Sequence, residues 1–116
     1  MKTPIITLPG DDYQLVKEGM ITRIVKPASQ RLQLKVYDWI PIVFKDTNDN
    51  VMVEIEDINF TMFRDLTLNT ALKCGFNNVN ELKHDLVEHY PTLDNASRLY
   101  MYDFFVVGVS EKVVCE

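Results

Sequence analysis

The stretch Trp39-Ile40-Pro41-Ile42-Val43-Phe44-Lys45-Asp46-Thr47-Asn48-Asp49-Asn50-Val51-Met52-Val53-Glu54-Ile55-Glu56-Asp57-Ile58-Asn59-Phe60-Thr61-Met62-Phe63 decides the fold. Two apolar runs flank Asp46 to Asn50, whose Asp, Asn and Thr side chains favour a turn, so the pattern predicts a β-hairpin. In the second arm Val51, Val53 and Ile55 occupy odd positions, whereas Ile58, Phe60 and Met62 occupy even ones. An apolar face that changes parity near Glu56-Asp57 predicts a β-bulge or bend there, the device by which small barrels turn corners.

On the N-terminal side, Asp11-Asp12-Tyr13-Gln14-Leu15-Val16-Lys17-Glu18-Gly19 begins with acids suited to a helix start and ends in Gly, which predicts a short helix. Ile21 to Val25 is β-branched, and Arg31-Leu32-Gln33-Leu34-Lys35-Val36-Tyr37 alternates with period two. The alternation predicts a strand with Leu32, Leu34 and Val36 inward and Arg31, Gln33, Lys35 and Tyr37 outward. On the C-terminal side, Thr67 caps an expected helix with Leu68, Ala71 and Leu72 on one face and Gly75 as its stop. Asn78 and Glu81 form a capping-box pattern for a second helix with a Val79, Leu82, Leu86, Val87, Tyr90 stripe, ended by Pro91. A final strand from Arg98 to Val107 is apolar on both faces apart from Asp103. The order implies an α+β fold, a small bent mostly antiparallel β-barrel with a short first helix and two consecutive helices before the last strand. One domain spanning 1–116 is expected, with its core at about 13–107 and tails at 1–10 and 108–116.

Composition narrows the class. The chain has 116 residues, 12 Lys plus Arg against 17 Asp plus Glu, net charge −5 and 47% hydrophobic residues, which excludes a collagen-like or wholly disordered chain. No apolar run approaches the about 20 residues that span a bilayer, and the start lacks a secretory pattern, so a cytoplasmic protein without a membrane partner is expected. Cys74 and Cys115 show no CxxC or zinc spacing and are expected as free thiols.

The ordered set Ile55 to Ile58, Phe63-Arg64-Asp65-Leu66, Cys74-Gly75-Phe76-Asn77-Asn78-Val79-Asn80-Glu81-Leu82, His89-Tyr90-Pro91 and Tyr102-Asp103-Phe104 resembles the ASCH domain, a branch of the PUA-like β-barrel superfamily. The resemblance covers roughly Tyr13 to Val107. It implies a cleft beside the barrel that handles RNA, nucleotides or modified nucleosides. One small bacterial ASCH group hydrolyses the acetyl amide of N4-acetylcytidine, with a Gly-x-Lys-Thr segment after the first helix and a Glu before the Gly-Phe turn. In Gly19-Met20-Ile21-Thr22 that Lys is replaced by Ile21, and the Glu by Cys74; Thr22 matches. Lys26 stands where many members carry an Arg, and Ile24 where they carry a Glu. An isoleucine can neither deliver a nucleophile nor stabilise an oxyanion. The catalytic candidates that remain are Thr22 and Cys74. Cys74 would need a lowered pKa for such work and reads more simply as a small buried filler.

Charge points the same way. From Gly19 to Tyr37 there are four bases, Arg23, Lys26, Arg31 and Lys35, and no acid, while Asp46 to Asp65 carries six acids against Arg64. A local basic patch can bind a polyanion on an acidic protein, because distant charges are screened beyond about 8 Å. Arg31 and Lys35 on one strand face would lie about 14 Å apart, suited to two phosphates, with Tyr37 as a stacking surface. The nucleic-acid-binding set is therefore Arg23, Lys26, Arg31, Lys35 and Tyr37. Glu81-x-x-His84 on the second helix has a di-iron spacing but lacks the facing carboxylates, so its polar side reads as solvated, with no metal site and no cofactor expected. The expected function is an ASCH-like RNA- or nucleotide-binding domain without hydrolytic activity. The alternatives are a diverged amidohydrolase acting on N4-acetylcytidine or a similar acylated nucleoside, and a phage or mobile-element module that binds a host protein.

Overall fold

The computed structural model describes residues 5–47 and 49–110. Its elements run β1 (Ile6–Leu8), α1 (Tyr13–Lys17), β2 (Arg23–Pro27), β3 (Trp39–Phe44), β4 (Asn50–Met62), α2 (Leu68–Lys73), α3 (Val79–His89) and β5 (Arg98–Ser110). The strands form one mixed sheet in the order β1-β3-β4-β5-β2. Only β1 and β3 are parallel; the other neighbours are antiparallel. The sheet curls into a half-barrel, the α+β architecture expected from the sequence.

β3 and β4 form the hairpin, and the parity change has the physical cause inferred for it. In the β4–β5 ladder Ile55 pairs Phe104 and Asp57 pairs Asp103, which leaves Glu56 as an extra residue. That bulge turns Ile58 to the side of Tyr102, on the concave face. A second register shift between Met52 and Val53 leaves Val107 unpaired on β5. Two apolar clusters result. Inside the half-barrel lie Ile6, Val16, Ile21, Ile24, Ile40, Ile42, Phe44, Val51, Val53, Ile55, Tyr102 and Phe104. Between the opposite face of β2 and β5 and the helices lie Val25, Leu99, Phe63, Leu66, Ala71, Leu82 and Leu86. β5 is apolar on both sides because it separates the two.

Helix ends follow the sequence signals. The Thr67 hydroxyl accepts from the Thr70 N–H at 3.2 Å, and the Asn78 side chain accepts from the Glu81 N–H at 2.9 Å. The Glu81 carboxylate accepts from the N–H of Asn77 at 3.3 Å rather than from that of Asn78.

Three expectations are corrected. Residues 31–37 are not a strand. Leu34 is buried and Arg31, Gln33 and Lys35 are exposed, as the alternation demands, but the backbone bonds elsewhere: Leu32 N–H donates to the Tyr102 hydroxyl (3.0 Å), Lys35 N–H to Asp38 Oδ2 (2.8 Å) and Tyr37 N–H to the Ile55 carbonyl (2.7 Å). Tyr37 turns the chain in a left-handed conformation (φ 77°), so it does not continue a face with Arg31 and Lys35, and Val36 is exposed rather than inward. In α2 only Ala71 of the expected stripe faces in; Leu68 and Leu72 are 53% and 51% exposed, because Thr70 and Ala71 occupy the contact with the sheet. The core also extends beyond 13–107: Ile6 is fully buried in β1, and β5 runs to Ser110. Cys115 and residues 1–4 and 111–116 lie outside the described residues.

Candidate functional site

β1 and β2 are the two outer strands of the sheet, and curling brings them toward each other without pairing. A cavity of about 260 Å³ occupies this seam, walled by Thr7 and Leu8 on one side and Arg23 to Lys26 on the other, with Phe76 and α3 (Leu82, Asp85, Leu86, His89) over it and Tyr90 at its end. The outward backbone groups of β2 face this space instead of a neighbouring strand.

Ile21 forms part of the cavity wall and is only 4% exposed. It lies against Gly75, which has φ +91° and stands so close that a Cβ there would come within 2.9 Å of Ile21 Cγ1. Gly75 thus serves two needs at once, the left-handed stop of α2 and room for the branched side chain of Ile21. Thr22 is not on the cavity wall. Its N–H donates to the Lys73 carbonyl (2.8 Å) and its carbonyl accepts from Phe104 N–H (3.0 Å), which ties the end of α2 to β5.

Arg23 lines the cavity, yet its guanidinium is committed inward. Nε and Nη2 donate to the two carboxylate oxygens of Asp103, the latter at 2.9 Å, and Nη1 donates to Thr70 Oγ1 at 2.8 Å. The Asp103 hydrogen bond holds Arg23 still more firmly in its charged form, against a smaller opposing effect of burial. Lys26 differs: its Nζ donates to the Tyr90 hydroxyl at 3.3 Å, a long bond that a ligand oxygen can replace. Cys74 lines the cavity, but burial pushes its thiol up to about 12, the nearby Arg23 offsetting only part of this, so at neutral pH it carries its proton.

Arg31, Lys35 and Tyr37 lie outside the cavity. Arg31 Cζ stands 4.9 Å from the centre of the Tyr100 ring, Lys35 is exposed, and Tyr37 is 77% exposed. The seam instead gathers residues the sequence reading placed on a solvated helix face or did not single out. His89 Nδ1 lies 2.9 Å from the Asp85 carbonyl and 3.6 Å from Asp85 Oδ1. Asp12 faces the same space, its carboxyl raised from 3.8 by burial first and then by the charges of Asp85 and Asp11. The i, i+4 spacing of Asp85 and His89 immediately before Tyr90-Pro91 was the available signal. His84 and Glu88, by contrast, form the surface pair expected of them (3.1 Å).

The cavity is therefore mixed in charge rather than basic: Lys26 opposes Asp12 and Asp85, and Asp103 neutralises Arg23. Its lining joins aliphatic and aromatic side chains such as Leu8, Ile21, Ile24 and Phe76 to these polar ones. Such a site can hold a flat, partly apolar group with hydrogen-bonding edges. It presents no activated nucleophile among the described residues. Nor do three His, Cys, Asp or Glu side chains there converge as a metal site. No helix of the described residues is long and apolar enough to cross a membrane.

No family model and no curated protein matches this sequence. Solved structures do. An ASCH domain from Lactobacillus crispatus JV V101 superposes with a TM-score of 0.72 at 13% identity, covering 91% of this chain and 81% of that one. A protein from Enterococcus faecalis V583, of the family model DUF984, gives 0.70 at 15% identity over 100% of this chain and 88% of that one. An ASCH protein from Zymomonas mobilis gives 0.64 at 13% identity over 86% and 64%. The chain has the ASCH, PUA-like fold.

Proposed function

We propose that this ASCH-like fold binds RNA or a free nucleotide by taking one base or nucleoside into the seam cavity, and that it does not hydrolyse what it binds. The observation that carries this reading is the cavity itself. At about 260 Å³ it lies just below the range typical of drug-sized ligands, a size for a single base or nucleoside rather than a stretch of duplex. Ile21, Ile24 and Phe76 offer apolar walls for the faces of a base; Lys26, Tyr90, Asp85 and the free edge of β2 offer donors and acceptors for its polar edges and phosphate. Neither Ile21, a hydrocarbon, nor Cys74, a protonated thiol, supplies a nucleophile for amide hydrolysis. Thr22 is removed from the cavity wall and acts through its backbone.

The test is calorimetric titration with the four nucleoside 5′-monophosphates and with N4-acetylcytidine, followed by chromatography of the incubated mixtures. Saturable binding of at least one ligand, weakened about tenfold or more by Lys26→Ala, with no release of cytidine, is the expected result. Absence of binding by every ligand overturns the reading. Steady conversion of N4-acetylcytidine to cytidine would replace it with the amidohydrolase alternative.

A further inference from the structure

Away from the seam, one end of the concave sheet face carries an aromatic surface that the fold leaves open. Phe60 pairs with Tyr100, and Tyr100 pairs with Lys26, so the three form a row across β4, β5 and β2. Paired residues share a face of a pleated sheet, with Cβ atoms about 4.5–5.5 Å apart. Phe60 is 71% exposed. Tyr100 stacks on Tyr102 on one side (6.4 Å between centres, 28° between planes) and holds the Arg31 guanidinium at 4.9 Å. Arg98, two residues before Tyr100 on β5, faces the same way and is exposed. Cations thus border the aromatics on several sides, and no acid occupies the paired positions of this face near them.

We propose that Phe60, the Arg31–Tyr100 stack and Arg98 bind a single-stranded nucleic acid along this face, the strand continuing from Lys26 at the seam. Each nucleotide supplies what the surface lacks: a flat π-face for Phe60 and for the outer side of the Arg31 guanidinium, and a phosphate for Arg31 and Arg98. A duplex offers no such partner, because its base faces are already stacked. The row runs from Lys26, which lines the cavity, to Phe60, which does not, so a strand with one base in the seam would lay its neighbours on the aromatics. This rests on the reading of the chain as a nucleotide binder but uses residues the cavity does not, so the two fail separately.

The experiment compares nucleoside 5′-monophosphates with a mixed-sequence hexanucleotide, as RNA and as DNA, by calorimetry and fluorescence anisotropy at two salt concentrations. The hexanucleotide, in at least one of its two forms, is expected to bind at least tenfold more tightly than any monophosphate. Phe60→Ala should remove about tenfold of that gain while leaving monophosphate binding and the circular dichroism spectrum unchanged. Arg31→Ala with Arg98→Ala should flatten the slope of log Kd against log salt by about 1.4, or 0.7 for each lost phosphate contact. Trp39→Ala, an exposed aromatic elsewhere on the sheet, serves as the control and should change nothing. A hexanucleotide that binds no better than a monophosphate, or a Phe60→Ala effect no larger than that of Trp39→Ala, overturns the proposal while sparing the cavity reading. Phe60-dependent hexanucleotide binding without monophosphate binding supports it and overturns the cavity reading instead.

Discussion

Replacing Asp103 with Ala tests whether Arg23 is a structural residue or a free ligand-binding cation. The side chains of Arg23 and Asp103 are 11% and 16% exposed, so little water is present to solvate a guanidinium that loses its partner. Two charge-assisted hydrogen bonds disappear, each worth about 1.5–3 kcal/mol, and the Thr70 hydroxyl and a long contact to Met101 Sδ (3.9 Å) remain. A loss of about 3–5 kcal/mol follows, the range for breaking one side of a buried pair. Unfolding entropy near 2.1 cal/mol/K per residue over 116 residues converts this to a fall in Tm of about 12–20 °C. Urea unfolding followed by circular dichroism measures the first figure and a thermal scan the second. Arg23→Met combined with Asp103→Leu should recover most of the loss, because an apolar pair leaves no charge stranded. A cost below about 1 kcal/mol for Asp103→Ala, the size seen for solvent-exposed pairs, would refute the argument and return Arg23 to the set of cations available to a phosphate.

Gly75→Ala should destabilise by about 1–3 kcal/mol in urea, since it combines a left-handed backbone with a contact against Ile21 that must open; Ile21→Val beside it should restore part. Cys74, held as a thiol by burial, should react with a disulfide reagent at pH 8 far more slowly than an exposed thiol and reach the ordinary rate only in denaturant, provided Cys115 is first replaced by Ser. Asp12→Asn should stabilise the protein at pH 7. The folded-state pKa of Asp12 is raised, so the folded state binds the proton more tightly, and the cost of the charged form is present above that pKa and vanishes below the ordinary value of 3.8; the gain of the Asn variant should shrink accordingly as unfolding is repeated toward pH 3.5.

Much of the architecture was legible because it is written in local chemistry. The parity change at Glu56 requires a bulge wherever the strand pairs, and Thr67 and Asn78 cap helices through N–H groups three residues away. Residues 31–37 misled for a physical reason: an irregular extended segment alternates its side chains just as a strand does, and only the Tyr102 hydroxyl, 70 residues away, and the Tyr37 turn reveal that it has no ladder. β1 carries too few residues for periodicity to register. Ile21 and Lys26 stand together in the 19–26 segment, but the neutralisation of Arg23 depends on a carboxylate 80 residues distant across a strand pair. The polar side of α3 looked like a water-facing surface because nothing in its spacing shows that Asp85 and His89 overhang a gap between two strands.

One wall of that gap hangs on three residues. Among the described residues β1 pairs with the sheet through Ile6, Thr7 and Leu8 beside Ile42, Val43 and Phe44, with the Lys45 N–H donating to the Leu8 carbonyl, and this is the shortest described ladder and the one described parallel pairing. β4 and β5, by contrast, are zipped over twelve register positions. Detaching so brief a seam-side strand costs a fraction of global unfolding, so the rigid remainder can stay assembled while the N-terminal flap swings and the pocket gapes. The amides of 6–8 should accordingly surrender their protons to deuterium long before those of 51–55, and a bound guest that bridges the two edges should slow them.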